Sequence, residues 1–213
     1  MNLNSWPNLI KNFPSHYGPV KRFYANMIHF FGDLKVLPVM NQLTKEDIKK
    51  FKKTLKPGDV VLAGGLGLLS SLFVQGAVTH ALIYLGKKKF VHVTAHGVGK
   101  AKTKVLYKNS DTLMILRHPD MNKIKLKQLS HFLKGQMGLP YNFDFEKTDD
   151  SYICSDLVKD AFDACDLTLE LPPMDTYLFH ELVHPKDYAS CKVLEVQYMS
   201  SNLKMKDGRV VLV

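Results

Sequence analysis

Two β-rich runs, Val78 to Leu85 and Phe90 to Thr94, flank Gly86-Lys-Lys-Lys89 in a chain of 213 residues. Short valine-, isoleucine- and aromatic-rich runs around a glycine turn read as an antiparallel hairpin. Each run carries a histidine, His80 and His92, and the hairpin makes them neighbours. Side chains alternate faces along a strand, so these two even-numbered residues share a face only if the turn is odd in length or bulged. A plain two-residue turn at Lys87-Lys88 would set them on opposite faces.

The second informative stretch is Tyr152-Ile-Cys154-Ser-Asp-Leu-Val-Lys-Asp-Ala-Phe-Asp163. It reads as an amphipathic helix that begins at Cys154, with Ser151 or Asp150 as cap and Leu157, Val158, Ala161 and Phe162 on the buried face. The N–H groups and positive dipole end at a helix start favour an anion, which biases a cysteine there toward thiolate. A base that takes and returns the proton completes an activated nucleophile. His80, followed by small Ala81, can serve from a sheet packed on this helix, with His92 as the third group that fixes its tautomer. By itself Cys154 also fits an ordinary buried cysteine, which is the better reading of Cys165. Cys191 has no assigned role. The spacing His92-x-x-x-His96 suggests a metal pair, but on a strand that separation does not converge as it does on a helix. No metal and no cofactor are expected.

The rest of the chain is read for its frame. Between Val20 and Leu34 the residues Val20, Phe23, Tyr24, Met27, Phe30, Phe31 and Leu34 recur at three-and-four spacing, an amphipathic helix whose stripe is expected to pack on the core. The alternative is a helix lying on a membrane surface, suggested by the aromatic face with Lys21 and Arg22 nearby. Thr44-Lys-Glu-Asp47 marks a capped helix start. Val60 to Val78 holds no charge, so a membrane span is considered, yet its glycines and polar residues fit strand, loop and short helix better. Gly64-Gly-Leu-Gly67 lacks the spacing and ending of a phosphate loop. Gly97-Val-Gly99 is expected to turn the chain. Thr103 to Tyr107, Thr112 to Arg117, Lys192 to Tyr198 and Arg209 to Val213 are expected strands, and Asp120 to Met137 a helix ending near Gly138.

The length suits one sizeable domain. Hydrophobic residues at 46% and charged residues at 23% are ordinary for a globular chain. The formal charge of +9 favours anionic partners, but no nucleic-acid module accompanies it. Three cysteines without a disulfide framework and an N-terminus without a visible secretory signal lead us to expect a cytoplasmic protein with possible peripheral association with an anionic membrane.

The run His80-Ala-Leu-Ile-Tyr-Leu-Gly followed by Phe-Val-His92 resembles the histidine block of NlpC-type papain-like peptidases, and Tyr152-x-Cys154-Ser-Asp-Leu-Val resembles their nucleophile block. In the ordinary family the cysteine comes first. Here it follows the histidines, an order similar to the circularly permuted branch that includes YiiX-like proteins and the lecithin retinol acyltransferase group. Lys56-Pro-Gly-Asp-Val-Val61, Gly138-Leu-Pro-Tyr141-Asn-Phe-Asp144 and His184-Pro-Lys-Asp187 also resemble YiiX-like members. The likeness runs from residue 56 to about 190. Two positions depart from it: His92 stands where many YiiX-like sequences carry an acid, and Asn142 where aspartate is commoner.

The resemblance implies an α+β, circularly permuted papain-like fold, with a small antiparallel sheet against the nucleophile helix. Residues 1–55 would form a helical extension and residues 56–213 the catalytic domain. It implies a thiol hydrolase or acyltransferase with Cys154, His80 and His92 as catalytic residues and Tyr141 and Tyr152 as cleft residues, Tyr141 either lining the cleft, helping to hold the oxyanion or simply packing. The substrate would be a peptide, another amide or an acyl lipid. The non-catalytic alternative is a ligand-binding module that retains the cleft.

Overall fold

The computed structural model describes residues 9–32, 43–65, 76–146, 148–172, 175–177 and 180–213. Among these the chain forms the helices α1 (Pro19–Gly32), α2 (Lys45–Thr54), α3 (Thr103–Asn109), α4 (Lys123–Gly135), α5 (Cys154–Asp163) and α6 (Pro185–Ala189). Its strands are β1 (Val60–Gly64), β2 (His80–Tyr84), β3 (Lys89–Thr94), β4 (Gly97–Lys102), β5 (Thr112–Arg117), β6 (Asp175–Tyr177), β7 (His180–Leu182), β8 (Glu195–Met199), β9 (Leu203–Lys206) and β10 (Arg209–Leu212). Six strands make an antiparallel sheet in the order β4-β3-β2-β1-β5-β8, and β6-β7 and β9-β10 form two small ribbons.

β1 is buried along its whole length because both faces of the sheet are covered. Alternation sends Val60 and Leu62 into one core with Ala81, Ile83, Val91, Met114 and Leu116, where α5 adds Leu157, Val158, Ala161 and Phe162. Val61, Ala63, Leu82, Phe90, Leu113 and Ile115 face the other core, closed by Phe51 of α2 and by Leu106 and Tyr107 of α3. A fully buried side chain of this size contributes about 1.5–3 kcal/mol, so these two layers are the main source of stability. The fold is thus the expected α+β papain-like arrangement, with the sheet packed against the cysteine helix.

Polar contacts lock the frame at two places. Arg117 makes two hydrogen bonds to the fully buried carboxylate of Asp59, at 2.7 and 2.8 Å. Thr44 and Asp47 form a reciprocal capping box at the start of α2. Asp47 also accepts hydrogen bonds from the Tyr198 hydroxyl at 2.8 Å and from the Ser201 N–H and hydroxyl at 2.9 Å each, which fastens α2 to the β8 end of the sheet.

Three expectations change. Residues 103–107 begin a helix, not a strand, because Thr103, Leu106 and Tyr107 are the buried positions, a helical spacing. The turn expected at Gly97-Val-Gly99 belongs to β4, which pairs with β3 from Gly97↔Thr94 to Lys102↔Lys89. Gly97 is required there: its φ is +99°, and a Cβ would meet the Leu139 carbonyl. The third change concerns α1, whose apolar stripe does not pack on the core: Val20, Phe23, Tyr24, Met27, Phe30 and Phe31 are exposed. Amphipathic periodicity was correct, but the small and polar face is the one that packs, with Ala25 buried. Leu34 and the phosphate-loop candidate from residue 66 onward lie outside the described residues. No helix among the described residues is long and apolar enough to cross a membrane.

Candidate active site

The start of α5 meets β2 and β3, and there the candidate residues gather. Cys154 is the first residue of the helix and is half-buried. The N-cap is Ile153, which offers no side-chain cap, so neither Ser151 nor Asp150 takes that role. Ser151 instead shares a 2.6 Å hydrogen bond with Thr148. The first-turn N–H groups are therefore not consumed by a capping side chain at Ile153.

The hairpin turn has the odd length the sequence argument required. Leu85 donates its N–H to the Lys89 carbonyl at 3.0 Å, leaving Gly86, Lys87 and Lys88 as a three-residue turn with φ of +83°, +48° and +61°. Paired residues are Ile83 with Val91 and Tyr84 with Phe90, which puts His80 and His92 on one face. Nε2 of His80 lies 3.0 Å from Nδ1 of His92, with the rings edge to face at 5.2 Å. The β2–β3 ladder ends at Ile83, so the N–H of Ala81, one residue from His80, is left to face the Cys154 sulfur, whose pKa it lowers. Its small side chain sits in the core where α5 packs across β2 and β3.

Burial governs the protonation states. It pushes the Cys154 thiol up to about 11; the Asp156 charge acts in the same direction, while the N–H groups of Ala81, Ser155 and Cys154 oppose it. The helix start thus does not produce the resting thiolate that position alone suggested, because desolvation outweighs the dipole. Burial and the neighbouring His92 push His80 down to about 3, and burial pushes His92 down to about 4. Burial thus favours the neutral thiol and the neutral form of both imidazoles.

Tyr141 and Tyr152 form an isolated parallel bridge: Tyr152 donates its N–H to the Pro140 carbonyl at 3.1 Å, and Asn142 donates to the Tyr152 carbonyl at 3.0 Å. Burial, with the charges of Cys154 and Asp156, raises the Tyr141 hydroxyl well above its ordinary value, and its ring tilts against Phe143 at 4.7 Å. Tyr152 is a core residue whose hydroxyl is raised to about 12 by burial first and by the nearby Asp160 second. Asn142 shapes the loop, donating to the Glu146 carbonyl and accepting the Asp144 N–H at 3.0 Å. His184 and Asp187 make the capping box of α6, and from that helix Tyr188 donates to the Ser155 carbonyl at 2.7 Å, which holds the first turn of α5.

The N-terminal segment buttresses the same loop, a role with no motif to announce it. The Tyr17 hydroxyl accepts the Phe143 N–H at 3.0 Å, Asp144 accepts Lys21 at 2.6 Å and contacts His16 at 3.2 Å, and Asn12 donates to the Gly138 carbonyl at 2.7 Å. The Ala81 N–H was equally invisible in sequence, since every residue but proline has one. Among the described residues no group of three or more His, Cys, Asp or Glu side chains is placed to hold a metal ion.

A family model described as permuted papain-like amidase enzyme, YaeF/YiiX, C92 family, matches residues 54–213. The chain is 30% identical over 107 residues to the probable lipoprotein peptidase YaeF of Escherichia coli strain K12, a match covering 48% of this chain and 39% of that relative. The match thus spans well under half of the relative's length. The crystal structure of metalloprotein yiiX from Escherichia coli O157:H7 is similar at a TM-score of 0.54 and 16% identity, over 67% of this chain and 96% of that one, a likeness of fold. The chain belongs to the permuted papain-like amidases of the YaeF/YiiX type, the C92 family.

Proposed function

We propose that the protein is a cysteine hydrolase that cleaves an amide or ester bond through a thioester on Cys154. The observation that carries this reading is the convergence of Cys154, at the first position of α5, on the Ala81 N–H beside the His80–His92 pair. With Nε2 of His80 engaged by His92, Nδ1 of His80 is the nitrogen left for the thiol proton. The productive tautomer has His80 donate from Nε2–H to Nδ1 of His92, so that Nδ1 of His80 carries a lone pair.

As sulfur attacks the carbonyl, the S–H proton passes to His80, and the oxyanion is taken by the Cys154 N–H at the helix start. His80 then returns the proton to the leaving amine or alcohol, and a thioester remains. Water, its proton taken by His80, releases the acid and restores the thiol; another nucleophile in its place makes the reaction an acyl transfer. The neutral resting pair accords with proton transfer in step with attack. Substrates within this chemistry are peptides, other amides and acyl lipids, with Tyr141 as a cleft wall.

The competing reading is a binding module that keeps the cleft without turnover, favoured by the high pKa of the thiol. A panel of chromogenic amides and esters, with mass spectrometry of the intact protein, separates the two. An acyl adduct on Cys154 that turns over, lost in both Cys154→Ala and His80→Ala with unchanged circular dichroism, is the expected result. Undiminished turnover in either variant sinks the mechanism, and absence of any adduct on the wild type favours the binding module.

A further inference from the structure

α1 has its apolar and polar faces the wrong way round for a helix that serves the core. Val20, Phe23, Tyr24, Met27, Ile28, Phe30 and Phe31 are each between 37% and 83% exposed. At 100° per residue they occupy one arc of about 160°. The opposite side is what holds the helix to the body: Ala25 is buried, Asn26 accepts the Ile10 N–H at 2.8 Å, the rings of His29 and His96 stand 5.3 Å apart, and Lys21 pairs with Asp144 at 2.6 Å. Nothing in the described residues covers the apolar face, and exposed patches of this kind mark contact surfaces.

The geometry points to an anionic phospholipid surface as the occupant. Four of the seven exposed side chains are aromatic, the residue class that sits at the boundary between headgroups and acyl chains. Between residues 9 and 32 there is no Asp or Glu, whereas Lys11 and Arg22 are present besides the Asp144-paired Lys21, and the whole chain carries +9. That charge complements acidic headgroups. At 14 residues, about 21 Å, the helix is too short to span a bilayer and lies in its plane. Its ties to Asp144 and, through Tyr17, to Phe143 place the docked surface next to the loop that carries Tyr141. The inference does not depend on the chemistry assigned to Cys154.

The test is sedimentation of the full chain with vesicles of phosphatidylcholine alone and of equimolar phosphatidylcholine and phosphatidylglycerol. The wild type is expected to bind the mixed vesicles more strongly. The double variant Phe23→Glu with Phe30→Glu is expected to lose roughly tenfold or more in partitioning. Val20→Glu with Phe31→Glu, on the same face, should do the same. Both pairs are exposed, so an unchanged melting temperature and unchanged iodoacetamide labelling of Cys154 certify the fold. Failure of the wild type to bind either vesicle, undiminished binding by both variants, or equal binding to neutral and anionic vesicles overturns the inference. A wild-type dimer in light scattering that the same substitutions dissociate would also overturn it, by assigning the face to a second copy.

Discussion

Nε2 of His80 stands 3.0 Å from Nδ1 of His92, and the two half-buried rings lie on the same face of the hairpin. In the proposed mechanism His92 accepts from Nε2–H of His80, and favouring that tautomer is the work assigned to it. We predict that His92→Ala lowers kcat by roughly 10²–10³-fold with little change in KM, and that His92→Asn, which retains a polar partner, recovers part of the loss. His80→Ala should abolish turnover. Equal activity of His92→Ala and wild type would remove His92 from the mechanism.

Burial pushes the Cys154 thiol up to about 11, so it is mostly protonated at pH 7. Iodoacetamide labelling of the resting protein, followed by peptide mapping, should therefore climb about tenfold per pH unit from pH 7 to pH 10. Asp156 raises the thiol pKa through its charge. Asp156→Asn should lower that pKa and speed labelling several-fold at pH 8, and slower labelling would contradict this account.

Asp47 makes stability pH-dependent. Burial alone would raise its carboxyl, but hydrogen bonds from Thr44, Ser201 and Tyr198 prevail and hold it well below the usual carboxylate range. A group depressed in the folded state adds stability that is present above its unfolded value, near 4, and is lost as pH falls toward the folded value. Asp47→Asn should cost about 2–3 kcal/mol at pH 7 in urea unfolding. The difference from wild type should shrink steadily below pH 4; a constant difference would refute the assignment.

Asp59 and Arg117 offer a second stability test. Arg117→Met leaves the Asp59 carboxylate buried without its cation and should cost about 3–5 kcal/mol. Asp59→Asn combined with Arg117→Met should cost less than the sum of the single changes, since each single change strands a polar group. Additivity would show that the pair is not coupled.

Local pattern made much of the frame legible. The hairpin came from strand-like runs around Gly86, α5 from its apolar spacing, and the start of α2 from Thr44 and Asp47, because each signal is confined to a few adjacent residues. Where distant contacts decide, the pattern failed. Residues 103–107 look strand-like in composition, yet Phe51 meets Tyr107 edge to face at 5.7 Å and the segment is helical. β4 carries the glycines of a turn, yet its Val98 is zipped to the loop at Gly138 and Leu139. In α1 the periodicity was readable but not which face the body would cover. In the site, the sequence set the condition for His80 and His92 to share a face, an odd-length turn, but left the turn length to the structure; the thiol's protonation was not readable, because desolvation belongs to the assembled site.

The protonated state of Cys154 also bears on chemical wear. Peroxide and small electrophiles attack thiolates, so a sulfur stored as S–H is a poor target while the cleft is empty. Under the proposed mechanism reactivity depends on what occupies the site: an acyl group seated against sulfur would supply the reason for the proton to leave. Inhibitors for such a site gain more from shape that seats the warhead than from a more aggressive warhead, and selectivity among cysteines becomes a property of occupancy.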